Sequence, residues 1–228
     1  MSDLLRLHYA PDNASLCVRI AFEELGLSYE TALVDRRQSA QRSPAYLALN
    51  PNGLIPVLET TDGPVFETAA ILLWLADREG RLMPDLHDHR REPALQWLFW
   101  LSNTLHASLR MLFYPGQYTS GDIAAMRQMT KERLARQLTL LNDARSADWL
   151  ENDVATAQGC YLGPMLRWAA LYGDDTSWFD LRQWPRLHAF AKRAELRPAV
   201  QRAALAEGLG TLPYSAPGPC NPPEGAAL

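Results

Sequence analysis

The sequence predicts an α/β domain followed by an all-helical domain, and three observations carry that reading. The first eighty residues alternate short β-type runs with amphipathic stretches. Everything beyond about residue 90 has helical periodicity, and Gly80 to Glu92 between the two is polar and aperiodic. The expected boundaries are 1–80 for the α/β domain, 81–92 for the linker, 93–210 for the helical domain and 211–228 for a Pro-rich tail.

Leu4 to Tyr9 alternates as a strand, and Ala10-Pro11-Asp12-Asn13-Ala14 breaks it. Ser15 is placed to cap a helix that puts Val18, Ala21, Phe22 and Leu25 on one face and stops at Gly26. Ser28 to Val34 is a second strand, and strand, helix, strand implies a right-handed parallel crossover. A short helix over Ser43 to Leu49 and the turn Asn50-Pro51-Asn52-Gly53 lead to a strand over Ile55 to Glu59. Asp62-Gly63 signals a hairpin to Val65 and Phe66, and Thr68 to Glu79 is a helix.

In the second domain, Leu95, Leu98, Phe99, Leu105, Leu109 and Leu112 recur at helical spacing across a core helix from Ala94 to Leu112, ended by Pro115-Gly116. Further helices are expected over Asp122 to Asn142, Thr156 to Leu171, Pro185 to Ala194 and Pro198 to Ala206. Pro213 to Leu228 contains five prolines and little to bury, the composition of an extended or mobile tail.

Composition narrows the function. Lys+Arg at 22 against Asp+Glu at 26 gives 22 − 26 = −4, which offers no basic footprint for nucleic acid. The longest apolar run, Ala69 to Ala76, has eight residues where a membrane helix needs about 20, so a soluble cytoplasmic protein is expected, without a membrane partner. The cysteines are Cys17, Cys160 and Cys220, with no CxxC and no zinc-ligand spacing, so neither a disulfide framework nor a structural zinc is expected. His87, Asp88 and His89 with Asp85 fit no closed metal site, and the expected metal set is none.

The segment Asn50 to Leu58 is similar to the N-P-x-G-x-[VI]-P-x-L segment of the glutathione transferase family, and Glu67-Thr68 stands where that family has an E-S pair. The chain therefore resembles that family across both domains. The resemblance implies a thioredoxin-like N-terminal domain and an all-α C-terminal domain, the glutathione transferase fold. Glutathione is the implied cosubstrate, with a small hydrophobic electrophile as second substrate. It also implies a homodimer, with Trp97, Trp100 or the Thr68 to Glu79 helix near the interface. Glu67 would face the ligand ammonium, while Thr68 and the free N–H groups at the helix start would hold the γ-glutamyl carboxylate. Read without the resemblance, Glu67 is an acidic helix start and Thr68 a cap. The resemblance further implies a cis Ile55-Pro56 bond that turns the Ile55 backbone toward the cysteinyl part of the peptide.

A thiol with pKa near 8.5 is mostly protonated at neutral pH, so the site must supply a donor or positive field that favours the thiolate. Aligned on the beta-class members of the family, Ala14 falls at their Cys and Ser15 at the following Ser. The Ser-Ser-Cys of zeta-class isomerases falls on Asp12-Asn13-Ala14. Ser15 is then the first candidate donor and Asn13 the second, with a plain N-cap as the alternative for Ser15. His106, in a Leu-His pair similar to one in beta-class proteins, would meet the sulfur or substrate, or else simply pack. Phe113, Tyr114 and Tyr118 read as acceptor-pocket walls or as core, and Cys17 as a packed residue. Thr156 can cap its helix, although Gly159 replaces the Asp that usually completes the capping box. The function this implies is conjugation of the glutathione thiolate to an electrophile. The alternatives are a glutathione-dependent disulfide reductase or peroxidase, and a binding protein that kept the fold without the chemistry.

Overall fold

The computed structural model describes residues 5–227, so Leu4 lies outside the described residues. Its first half is a four-stranded sheet in the order β2-β1-β3-β4, built from β1 (Arg6–Tyr9), β2 (Glu30–Leu33), β3 (Val57–Thr60) and β4 (Gly63–Phe66). β1 and β2 are parallel, as a crossover through α1 (Ser15–Leu25) requires. β3 runs antiparallel to β1 and pairs with β4 through the tight turn that sets Thr60 opposite Gly63.

Local chemistry sets the helix ends. α1 stops where Gly26 takes φ 71° and its N–H reaches the Phe22 carbonyl. α2 (Pro44–Leu49) starts with Pro44 in its first turn while the Ser43 hydroxyl accepts from the Tyr46 amide. α3 (Thr68–Glu79) buries Ala69, Ile71, Leu72 and Leu75 against the sheet layer and ends at Gly80. α1 differs from expectation at its start: its cap position is Ala14, which makes no side-chain cap bond. The Ser15 hydroxyl instead closes the preceding loop, accepting from the Ala10 amide at 3.3 Å and donating to the Ala10 carbonyl at 3.0 Å.

The second half is helical. α4 (Arg91–Trp100) continues through a π-helical stretch at Leu101–His106 into α5 (Ala107–Phe113), with right-handed helical angles at both junctions. α6 (Ile123–Asp143) is capped by Asp122, whose carboxylate accepts from the Ala125 amide at 3.0 Å. α7 (Ala157–Leu171) is the central helix, capped by Thr156, whose hydroxyl accepts from the Gly159 amide at 3.0 Å. α8 (Pro185–Ala194) and α9 (Pro198–Glu207) complete the set. α1 packs on α3, α7 and α9, so one apolar core runs from the sheet layer into the helices. Among the described residues no helix is long and apolar enough to cross a membrane.

The Pro-rich tail is extended, and side chains on distant elements hold it. Tyr214 is buried, and the Tyr214 and Ser215 amides donate to the Glu195 carboxylate. The Asn221 amide donates to the Gly208 carbonyl at 2.8 Å, and the Tyr9 hydroxyl donates to Glu224 on the sheet side. The sequence hides this because the fixing groups are single side chains on distant helices, with no period of their own.

Candidate active site

A cleft of about 600 Å³ opens between the sheet half and the helical half. Asn13, Ile55, Pro56, Glu67, Thr68 and His106 all line it, and Ser15 does not. The Ile55-Pro56 bond is cis. Pro56 is buried and Ile55 partly exposed, immediately ahead of β3. Glu67 and Thr68 stand at the start of α3, Glu67 exposed and Thr68 buried. Glu67 holds φ 71° and ψ 116°, a conformation that side-chain-bearing residues seldom adopt and that costs roughly 1–3 kcal/mol. Its carbonyl accepts from the Ile71 amide at 3.0 Å, so the helix begins directly beyond that turn.

The loop from β1 to α1 presents Asn13 on the cleft. Its side-chain amide donates to the Pro11 carbonyl at 2.8 Å and to the Ala227 carbonyl at 3.0 Å, and its oxygen accepts from Arg36 at 3.2 Å. The loop is held from behind by Asp12, at φ 53°. Both Asp12 carboxylate oxygens accept from Arg167 at 2.9 Å, and Trp168 donates to one of them at 2.9 Å and Tyr172 to the other. The Asp12 and Arg167 side chains are fully buried. The Asp12 amide donates to Glu207 at 2.8 Å, and Glu207 accepts from Arg19 at the same distance. Burial pushes the Glu207 carboxyl up to about 7 against the pull of Arg19 and the Asp12 amide.

On the helical side, the π-helical turn carries Ser102 and His106 into the cleft. Wide turns of this kind re-aim side chains inside long helices. The His106 Nδ1 lies 2.8 Å from the Tyr161 hydroxyl, and its ring packs on Trp168. Desolvation, and secondarily the Arg110 charge, lower the His106 pKa to about 4, so the imidazole is neutral near pH 7. Tyr161 is buried on α7, with Ser102 and Thr68 against its hydroxyl, and burial raises its pKa. Phe113, Tyr114 and Tyr118 line the outer part of the cleft.

One expectation needs correcting. Ser15 is fully buried with its hydroxyl turned to Ala10, so it neither lines the cleft nor caps α1. Trp97 is buried with its indole N–H on the Ser146 hydroxyl at 3.2 Å. The tail reaches the cleft through Ala227. Sequence reasoning also missed Asp12, Arg36, Tyr161, Trp168 and Tyr172. The 161, 168, 172 spacing on one helix was the available signal for the last three, but an aromatic stripe of that kind reads equally as core.

A sheet half with a cis-proline before β3 and an acidic-hydroxyl pair opening α3, set against a helical half across a cleft, defines a two-domain protein with an α/β half and an all-helical half. The comparisons agree. The family model described as "Glutathione S-transferase, N-terminal domain" matches residues 14–78. Glutathione S-transferase GST-4.5 of Xanthomonas campestris is 31% identical, over 90% of this chain and 100% of its own. A solved sphingomonad glutathione S-transferase complexed with glutathione is 30% identical with a TM-score of 0.73, covering 90% of this chain and 100% of that one. A ternary complex of BphK, a bacterial GST, is 35% identical with a TM-score of 0.72 over the same shares. The chain belongs to the glutathione transferase family.

Proposed function

We propose that the protein conjugates the thiol of glutathione to a small hydrophobic electrophile. The observation that carries this reading is the single cleft that brings the cis-proline segment, Glu67-Thr68 and the Asn13 loop together with an aromatic wall. The peptide would lie beside the cis Ile55-Pro56 segment ahead of β3, its γ-glutamyl carboxylate on the N-terminus of α3 and its ammonium at Glu67, where the dipole and side chain have the matching signs. The Ile55 backbone would pair with the cysteinyl residue. The thiol would then reach the start of α1, where the helix field favours the thiolate and the Asn13 amide adds to it once the Ala227 carbonyl gives up its hydrogen bond. With a chloronitroaromatic acceptor, sulfur forms a bond to the carbon that loses chloride, and the thiol proton leaves to solvent. Holding both partners in one cleft turns a bimolecular step into an effectively unimolecular one.

Conjugation is favoured over disulfide reduction by the transferase names of the relatives at 30% identity and above. We place the protein in the cytoplasm as a homodimer, with Trp97, Trp100 or α3 near the interface and the exposed Phe99 of α4 as an apolar contact. Glu67→Ala leaves the ligand ammonium unpaired and is expected to weaken glutathione binding by about 1–3 kcal/mol in calorimetry. Equal affinity of the variant and the parent would sink the assignment.

A further inference from the structure

The donors at the mouth of the cleft already hold an oxygen from the protein itself. The Ala227 carbonyl accepts from the Asn13 side-chain amide at 3.0 Å and from an Arg36 guanidinium nitrogen. The other terminal nitrogen of Arg36 donates to the Tyr114 hydroxyl at 3.1 Å. Among the described residues the partners of Arg36 are Asn13, Tyr114 and Ala227, all neutral, so its charge faces no carboxylate. Other charges lining the cleft are neutralised nearby: Arg127 pairs with Asp174 at 3.0 Å and Asp12 with Arg167. Arg110 also has neutral partners, Gln117 and Tyr118, and its guanidinium and that of Arg36 both lie within 6.0 Å of the Tyr114 ring centre. The acceptor side of the cleft is thus aromatic and cationic, opposite Glu67.

The tail that brings Ala227 there is seated on glycines. A Cβ on Gly208 would lie 2.0 Å from the Asn221 carbonyl oxygen, and one on Gly163 would lie 2.6 Å from the Tyr214 ring. Gly225 holds φ +72°, and a Cβ there would lie 2.7 Å from Leu33 Cδ1. The strap therefore follows a prepared track to the cleft, where among the described residues it offers Arg36 the uncharged Ala227 carbonyl oxygen.

We propose that Arg36, with Tyr114, forms a carboxylate subsite for the acceptor substrate, and that the Ala227 carbonyl is its displaceable stand-in. The inference rests on the transferase reading and names the acceptor class: an apolar, preferably aromatic electrophile carrying a carboxylate. A carboxylate brings two oxygens and a negative charge to the fork of Arg36, and such charge-assisted bonds are roughly twice as strong as neutral ones. Exchange of the strap carbonyl for the acceptor carboxylate is therefore favourable. It also frees one donor of Asn13, both of whose amide hydrogens are engaged while the strap is in place.

The test is calorimetry on the full chain with 4-nitrobenzoate and nitrobenzene, without glutathione. The parent should bind the benzoate more tightly, and Arg36→Gln should lower the benzoate-to-nitrobenzene affinity ratio by about tenfold, the scale of one charge-assisted bond. Gly225→Val, which unseats the end of the strap, should raise benzoate affinity severalfold. An affinity ratio unchanged in Arg36→Gln overturns the subsite, and a benzoate affinity that stays level or falls in Gly225→Val overturns the stand-in role of the strap. A parallel glutathione titration keeps the two readings apart: failure of the benzoate series with glutathione still bound overturns this inference alone. Failure of the parent to bind glutathione overturns the transferase reading and the acceptor assignment with it.

Discussion

At the residue scale, Ser15 and Asn13 differ in their surroundings: Asn13 lines the cleft and Ser15 does not. Ser15 was legible as a hydroxyl beside the thiol position, but sequence does not say which way a side chain leaves a loop. Here it turns inward to satisfy both polar groups of Ala10. Ser15→Ala should therefore cost about 1–3 kcal/mol of stability, the penalty for leaving buried polar groups unpaired. It should leave the thiolate midpoint of the glutathione complex in place. Asn13→Ala should raise that midpoint by about one pH unit, the scale of about 1.4 kcal/mol of thiolate stabilisation. Ultraviolet titration of the two binary complexes checks both, and a midpoint that moves with Ser15 and not with Asn13 would reverse the assignment. Glu67, Thr68, Ile55 and Pro56 were legible because a short segment of fixed order carries them. Asp12 was not, since its partners lie 155 and 156 residues away.

At the element scale, the sheet and most helices follow from period and punctuation. α3 and α8 fall on the expected residues because a glycine or proline marks an end and the apolar spacing is unbroken. The π-helical turn between α4 and α5 was not legible. One wide turn shifts the apolar face without breaking the hydrophobic pattern, yet it is the turn that presents His106. The β1–α1 loop depends on α7 in the same long-range way, through the fully buried Asp12–Arg167 pair. Asp12→Asn strips Arg167 of its counter-charge and should cost about 3–5 kcal/mol, read as a lower denaturant midpoint. A loss below about 1 kcal/mol would show that the carbonyls around Arg167 suffice.

At the scale of the whole molecule, the two halves are joined through buried charge as well as apolar contact. Glu207 on α9 meets Arg19 on α1, and its carboxyl is raised from 4.5 to about 7, chiefly by burial. A folded-state value above the unfolded one means that the folded protein holds the proton more tightly. Stability from this group is full below pH 4.5 and is lost as pH rises toward 7. Comparison with Glu207→Gln isolates the effect: the stability gap between parent and variant should narrow from pH 4.5 to 7 and then stay level. A gap that widens over that window would show an ionised Glu207 to be the stabilising form. The closure of the tail on β1 has a consequence for the order of synthesis. Tyr9 is synthesised 215 positions before its partner Glu224. N-terminal segments fold first as a chain emerges, so the sheet half forms while the groups that fix its loops are still untranslated. Until those residues emerge, the nascent chain carries the cis-proline segment and the start of α3 without Arg167, Glu207 or the strap.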